Sequence, residues 1–209
     1  MFVAERRRTL AVAIAAVLTF VLSACGGGSS TQAFSGTTHA PYTVSKVALT
    51  DTDGKPYSLT DATKPLTLVF FGYTHCDDYC PLVMNNLSVA LTRLSEADRA
   101  KVDLIFVTSD PARDTGPVLR KYLDRYGSGF IGLTGKLADI VAVGKSLAVS
   151  VDAGEPLPGG GYDLSAHGTT ISALGPDHTS TVMWDMDTSS SKFAADFTAI
   201  LHGKAPSES

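Results

Sequence analysis

From Leu66 to Phe71 every position except Thr67 is apolar, a run suited to a strand buried on both faces. Downstream the rhythm changes: Leu82 and Val83, then Leu87, Leu91 and Leu94, recur at three- and four-residue steps up to Ser95. That spacing predicts a helix opening at Cys80-Pro81, where the missing N–H of proline costs nothing in a first turn. Val102 to Val107 reads as a second buried strand, Thr115 to Tyr126 as a second helix, Gly135 to Leu147 as a third, and Ala148 to Val151 as a short strand.

On the N-terminal side, Val44 to Leu49 and Tyr57 to Leu59 flank Asp53-Gly54, which predicts a β-hairpin at the domain entrance. The Gly and Pro content of Ala153 to Tyr162 predicts a loop without regular structure. Thr169 to Leu174 and Thr179 to Trp184 read as strands around the turn Gly175-Pro176-Asp177-His178, and Lys192 to Leu201 as a closing helix. Strands alternating with helices imply an α/β domain with parallel pairing in its sheet.

The 209 residues suffice for one ordinary core, and the net charge of −4 without long like-charge runs argues against nucleic-acid binding. The basic cluster Arg6-Arg7-Arg8 precedes an apolar run from Leu10 to Leu22 and then Ser23-Ala24-Cys25. That order reads as an export signal over residues 1–24; the alternative, an uncleaved anchor, runs short of the roughly 20 apolar residues a span needs. Leu22-Ser23-Ala24-Cys25 resembles a bacterial lipobox, whose cysteine becomes the lipidated first residue of the mature chain. The expected organisation is a Gly/Ser/Thr-rich tether over 25–41, a domain over 42–203 and a tail over 204–209, held on the extracytoplasmic face of the cell membrane.

With Cys25 assigned to lipid, Cys76 and Cys80 remain as a pair in an oxidising compartment. Residues four apart on a helix share a face, so the two thiols can converge, and the same spacing permits either a soft metal or a disulfide. Three intervening residues, rather than two, move the pair away from ordinary thioredoxin-type exchange. Two thiolates with one imidazole suit a low-coordinate copper site, and His167, just past Gly159-Gly160-Gly161, is the candidate third ligand. His75 adjoins Cys76 and reads as a supporting group rather than a ligand. His39, His178 and His202 read as solvent-facing.

Phe71-Gly72-Tyr73-Thr74-His75-Cys76-Asp77-Asp78-Tyr79-Cys80-Pro81 closely resembles the signature of the Sco/SenC family of copper proteins. Ser109-Asp110-Pro111-Ala112-Arg113-Asp114-Thr115, Phe130 to Gly135, and Asp163-Leu164-Ser165-Ala166-His167-Gly168-Thr169 extend the resemblance across nearly the whole domain. It implies a thioredoxin-like fold, a mixed central sheet flanked by helices, with a copper ion held by Cys76, Cys80 and His167. It also implies a carrier that delivers copper to the CuA-bearing subunit of cytochrome c oxidase, or a thiol-disulfide reductase that keeps the cysteines of that centre reduced. Other copper carriers or thiol reductants are further expected partners, and the membrane is reached through the lipid anchor. Asp77 departs from the family's usual proline. Asp110 and Asp114 match acidic family positions, with a role behind the ligands or in docking a partner; alternatively Asp110-Pro111 only turns the chain and Asp114 or Thr115 caps the next helix.

Overall fold

The computed structural model describes residues 33–152, 155–156, 162–163 and 168–206. Eight strands form one mixed sheet. In chain order they are β1 (Thr37–Thr43), β2 (Leu49–Asp51), β3 (Pro56–Tyr57), β4 (Leu66–Gly72), β5 (Val102–Thr108), β6 (Ile131–Thr134), β9 (Ile171–Leu174) and β10 (Thr179–Trp184). Between β6 and β9, β7 (Glu155–Pro156) and β8 (Tyr162–Asp163) pair with each other as a separate ladder. The helices are α1 (Tyr79–Arg93), α2 (Glu96–Arg99), α3 (Gly116–Leu123), α4 (Leu137–Ser146) and α5 (Ser190–Leu201). None of the described helices is long and apolar enough to cross a membrane.

The sheet order is β1-β10-β9-β4-β5-β6-β2-β3, with β4, β5 and β6 parallel and every other neighbour antiparallel. β4 and β5 run in step from Leu66 opposite Val102 to Gly72 opposite Thr108. Their unbroken apolar runs follow from this central place, because both faces are covered. Leu68, Phe70, Leu104 and Phe106 pack against α1, α3 and α5, whereas Val69, Phe71, Ile105 and Val107 pack against α4. Each such side chain contributes roughly 1.5–3 kcal/mol by leaving water.

The entrance hairpin forms with shorter strands than the pattern suggests: β2 pairs β3, and Asp51 Oδ1 accepts from the N–H groups of Asp53 and Lys55 across the turn. Gly54 supplies the positive φ of 82° that the turn requires. Upstream, Thr37 to Pro41 lie in β1 rather than in a tether. Polar and mostly solvent-facing, this edge strand owes its existence to its pairing with β10. Its lead-in is fixed by buried Asp196 on α5, whose Oδ2 accepts from Ser35 N at 3.0 Å, Gly36 N at 2.9 Å and Trp184 Nε1 at 2.8 Å. A Cβ on Gly36 would stand 2.8 Å from Trp184 Nε1, so only glycine allows this approach.

Ala148 to Val151 joins no ladder. Val149 and Val151 are buried, as the alternation indicates, but Val149 N donates to Gly144 O and Ala148 takes a φ of 56°, so the segment closes α4. The strand beside β5 is instead β6, which the pattern does not single out. The stretch read as a loop contributes the short strands β7 and β8. Of the three histidines read as solvent-facing, His202 is exposed, its Nε2 3.2 Å from Asp98 Oδ2, whereas His39, stacked on Tyr42 at 4.2 Å, and His178, with its Nδ1 buried, are half-buried.

Candidate metal centre

β4 ends at Gly72, and the chain turns through Tyr73 to Asp78 before entering α1 at Tyr79. This is the carboxyl end of the parallel strands, where α/β sheets open a crevice between strand and helix. Cys76 lies in the turn and Cys80 in the first turn of α1, 4% and 0% exposed. Neither is in a disulfide, and Cys80 N–H points at Cys76 Sγ over 3.4 Å.

The two thiols are electrically unequal. Hydrogen bonding from the Cys80 thiol, partly opposed by burial and assisted by the amides of Cys80, Asp78 and Tyr79, lowers the Cys76 pKa to about 6. Those amides are orphan donors of a helix N-terminus, which favours a thiolate. The Cys80 thiol is raised, first because it donates to Cys76, then by burial and by the negative charges of Cys76 and Asp114. The Tyr73 phenol is pushed up to about 12 by burial, by both sulfurs and by its hydrogen bond to Cys76, so it stays protonated. The pair therefore holds one thiolate and one thiol near neutral pH.

Thiolate absorbance of the reduced, metal-free protein is expected to show one thiolate appearing with a midpoint near pH 6 and no second one until strongly alkaline pH. A single transition near the ordinary value of 9.0 would refute the asymmetry. Because the Cys76 pKa is lower folded than unfolded, its contribution to stability grows as pH rises from about 6 towards 9.0 and is lost as pH falls through about 6.

A Cβ on Gly72 would stand 2.8 Å from Cys80 Sγ and 3.1 Å from the Phe106 ring, so the missing side chain is the slot that seats the sulfur. Gly72 O in turn accepts from Ser109 N at 2.7 Å, tying the two signature segments together. Asp114, 0% exposed, braces the turn: Oδ2 accepts from Thr74 N at 2.9 Å and Thr108 Oγ1 at 2.7 Å, and Oδ1 from Thr74 Oγ1 at 2.6 Å. Thr74 Oγ1 also lies 3.1 Å from Nδ1 of the exposed His75, which stands 3.8 Å from Asp114 Oδ1. Asp110 is buried and ion-paired with Arg113.

Burial leaves neither Asp110 nor Asp114 available to a docking partner. Thr115 is the N-cap residue of α3 but makes no side-chain cap bond, and Asp114 is turned towards Thr74 and Thr108. His167 and Cys25 lie outside the described residues. Among the described residues no three His, Cys, Asp or Glu side chains cluster as a metal site. Gly72, Tyr73, Thr74 and Thr108 were not singled out individually from the sequence. Gly72, Tyr73 and Thr74 stand inside the signature-like segment, but nothing in it tells their separate roles.

The SCO1/SenC family model matches residues 35–202. The mitochondrial protein SCO2 of Saccharomyces cerevisiae is 36% identical over 101 residues, 48% of this chain and 34% of that one. The chain spans about a third to two thirds of the length of the curated relatives it matches. Copper-bound ScoI of Bradyrhizobium japonicum is 30% identical, with a TM-score of 0.67 over 76% of this chain and 99% of that one. Apo Sco1 from Thermus thermophilus is 26% identical, with a TM-score of 0.73 over 83% and 99% of the two chains. The fold is thus thioredoxin-like, and the chain, matched through both cysteines and folded like solved members, belongs to the SCO1/SenC family.

Proposed function

We propose that the protein is a copper carrier on the extracytoplasmic face of the membrane, holding copper through Cys76, Cys80 and His167 and delivering it to the CuA centre of cytochrome c oxidase. The observation that carries this reading is the buried, unbridged cysteine pair at the start of α1, with one sulfur already favoured as thiolate. Thiolates select soft ions such as Cu(I), and a relative in the same family is known with copper bound. Copper is the cargo, and three ligands leave room for an incoming thiol of the acceptor. The lipobox-like Leu22 to Cys25 supports anchoring by lipid on Cys25.

Copper titration of the reduced protein, with free thiols counted at each point, tests the ligand set. Wild type is expected to take up copper, and His167→Ala, which removes one of three proposed ligands, to bind at least about 10-fold more weakly, since loss of even a group behind the ligands costs about 10- to 100-fold. Unchanged binding in His167→Ala removes the histidine from the site; absence of uptake by wild type defeats the carrier reading altogether.

The unequal thiols also favour a second reading, a thiol-disulfide reductase. Cys76 thiolate attacks one sulfur of a partner disulfide and releases the other as thiolate. Deprotonated Cys80 then attacks Cys76, freeing the second partner thiol and leaving Cys76–Cys80 oxidised. Reduction of an oxidised two-cysteine acceptor by the metal-free protein, no faster than by glutathione, would count against it.

A further inference from the structure

Beside the cysteine turn lies a groove of about 400 Å³, lined by Thr74, His75, Val118, Lys121, Tyr122 and Arg125. The last four stand at helical spacing along α3 and its continuation, so they form one stripe facing the turn that carries Cys76. Geometry links the groove to the thiols: the Gly72 slot is bounded by Cys80 Sγ and the Phe106 ring, and that ring packs on Tyr122 at 5.5 Å.

The lining contains basic groups and no acidic side chain. Nearby arginines are neutralised, Arg113 by Asp110 and Arg120 by Asp124. Lys121 and Arg125, both exposed, enter no ion pair among the described residues. Asp114 lies 3.8 Å from His75 Nδ1 but is 0% exposed, so it does not offer its charge to the groove mouth. Tyr122 is only 4% exposed, and its ring packs 5.3 Å from that of Tyr126. Val118, 37% exposed, adds an uncovered apolar edge.

We propose that this groove seats an acidic segment of the copper acceptor, a carboxylate meeting Lys121 and Arg125 while an apolar neighbour covers Val118. The proposal rests on the carrier reading and adds the kind of surface the acceptor presents beside the thiols. The groove holds one or two side chains, and the chain's net charge of −4 opposes adsorption to an anionic bilayer, so a protein segment fits better than lipid headgroups.

The test uses the reduced isotope-labelled protein, the peptide acetyl-Leu-Glu-Leu-Asp-Leu-amide and its Gln/Asn counterpart, followed by NMR shift changes. The acidic peptide is expected to move Thr74, His75 and Val118 to Arg125. Its binding should weaken about fivefold or more in Lys121→Glu/Arg125→Glu, in Lys121→Ala/Arg125→Ala, and at high salt. Equal binding of the neutral peptide, equal binding by both double variants, or shifts confined elsewhere would overturn the proposal. So would binding through these residues to phosphatidylglycerol vesicles without peptide binding. Copper uptake measured on the same samples separates the two readings: uptake without peptide binding defeats the groove alone, whereas peptide binding by a wild type that takes no copper defeats the carrier reading and leaves an acidic-peptide site.

Discussion

Cys80→Ser is expected to lower the copper affinity of the reduced protein by at least about 100-fold, roughly 2.7 kcal/mol, because in the proposed site a hard hydroxyl replaces a soft thiolate ligand. The fold should survive. The slot left by Gly72 is shaped for a γ-atom at this position, and serine keeps that shape and a donor towards Cys76. Competition with a chromophoric Cu(I) chelator measures the first effect and thermal unfolding the second. An affinity within about threefold of wild type would remove Cys80 from the ligand set. A collapse of thermal stability together with affinity would instead mean that the residue is chiefly a packing element.

Among changes at and around the cysteine turn, Asp114→Ala should be the most destabilising. The carboxylate is 0% exposed and accepts from Thr74 N, Thr74 Oγ1 and Thr108 Oγ1, so its removal strands three donors at once. Each buried neutral donor left unsatisfied costs about 1–3 kcal/mol, so three together cost on the order of 5 kcal/mol, which for a chain of this size lowers Tm by on the order of 10 °C. Asp114→Asn retains one acceptor oxygen and should fall between the two. Since Thr74 precedes His75 and Cys76, copper binding should also weaken in the alanine variant, even under conditions where it remains folded. A Tm within about 2 °C of wild type would show that water or rearranged partners satisfy the stranded donors.

The layered fold was legible where burial leaves a periodic trace. The unbroken run Leu66 to Phe71 is β4, and the leucine spacing from Val83 to Leu91 is the buried face of α1. Elements held by partners distant in sequence were not legible: β1 is a polar edge whose hydrogen bonds come from β10, and four-residue β6 is interrupted by Gly132. A Cβ at Gly132 would stand 2.8 Å from Leu123 Cδ1 and 2.9 Å from Thr52 Cγ2, so tight packing with α3 replaces apolar bulk there. The converse error, at Ala148 to Val151, arose because buried valines that close a helix alternate like those of a strand. In the candidate site, spacing brought Cys76 and Cys80 together, but nothing in spacing says that Asp114 is buried. A lone carboxylate in a turn has the same local sequence whether it faces solvent or braces a neighbouring loop.

The Asp196 clasp sets where the chain leaves the sheet. Thr37 pairs with Met183, the adjoining Trp184 with Ile171, and Ile171 with Phe70, two residues before β4 ends. The strand that leads back towards Cys25 therefore starts at the same end of the sheet as the cysteine turn. Ten residues lie between Cys25 and the clasped Gly36, eleven Cα steps that reach at most about 40 Å when fully extended. For a chain moored by lipid at Cys25, as proposed, the point where the tether meets the sheet and the thiols that would hand over copper share one end of the fold.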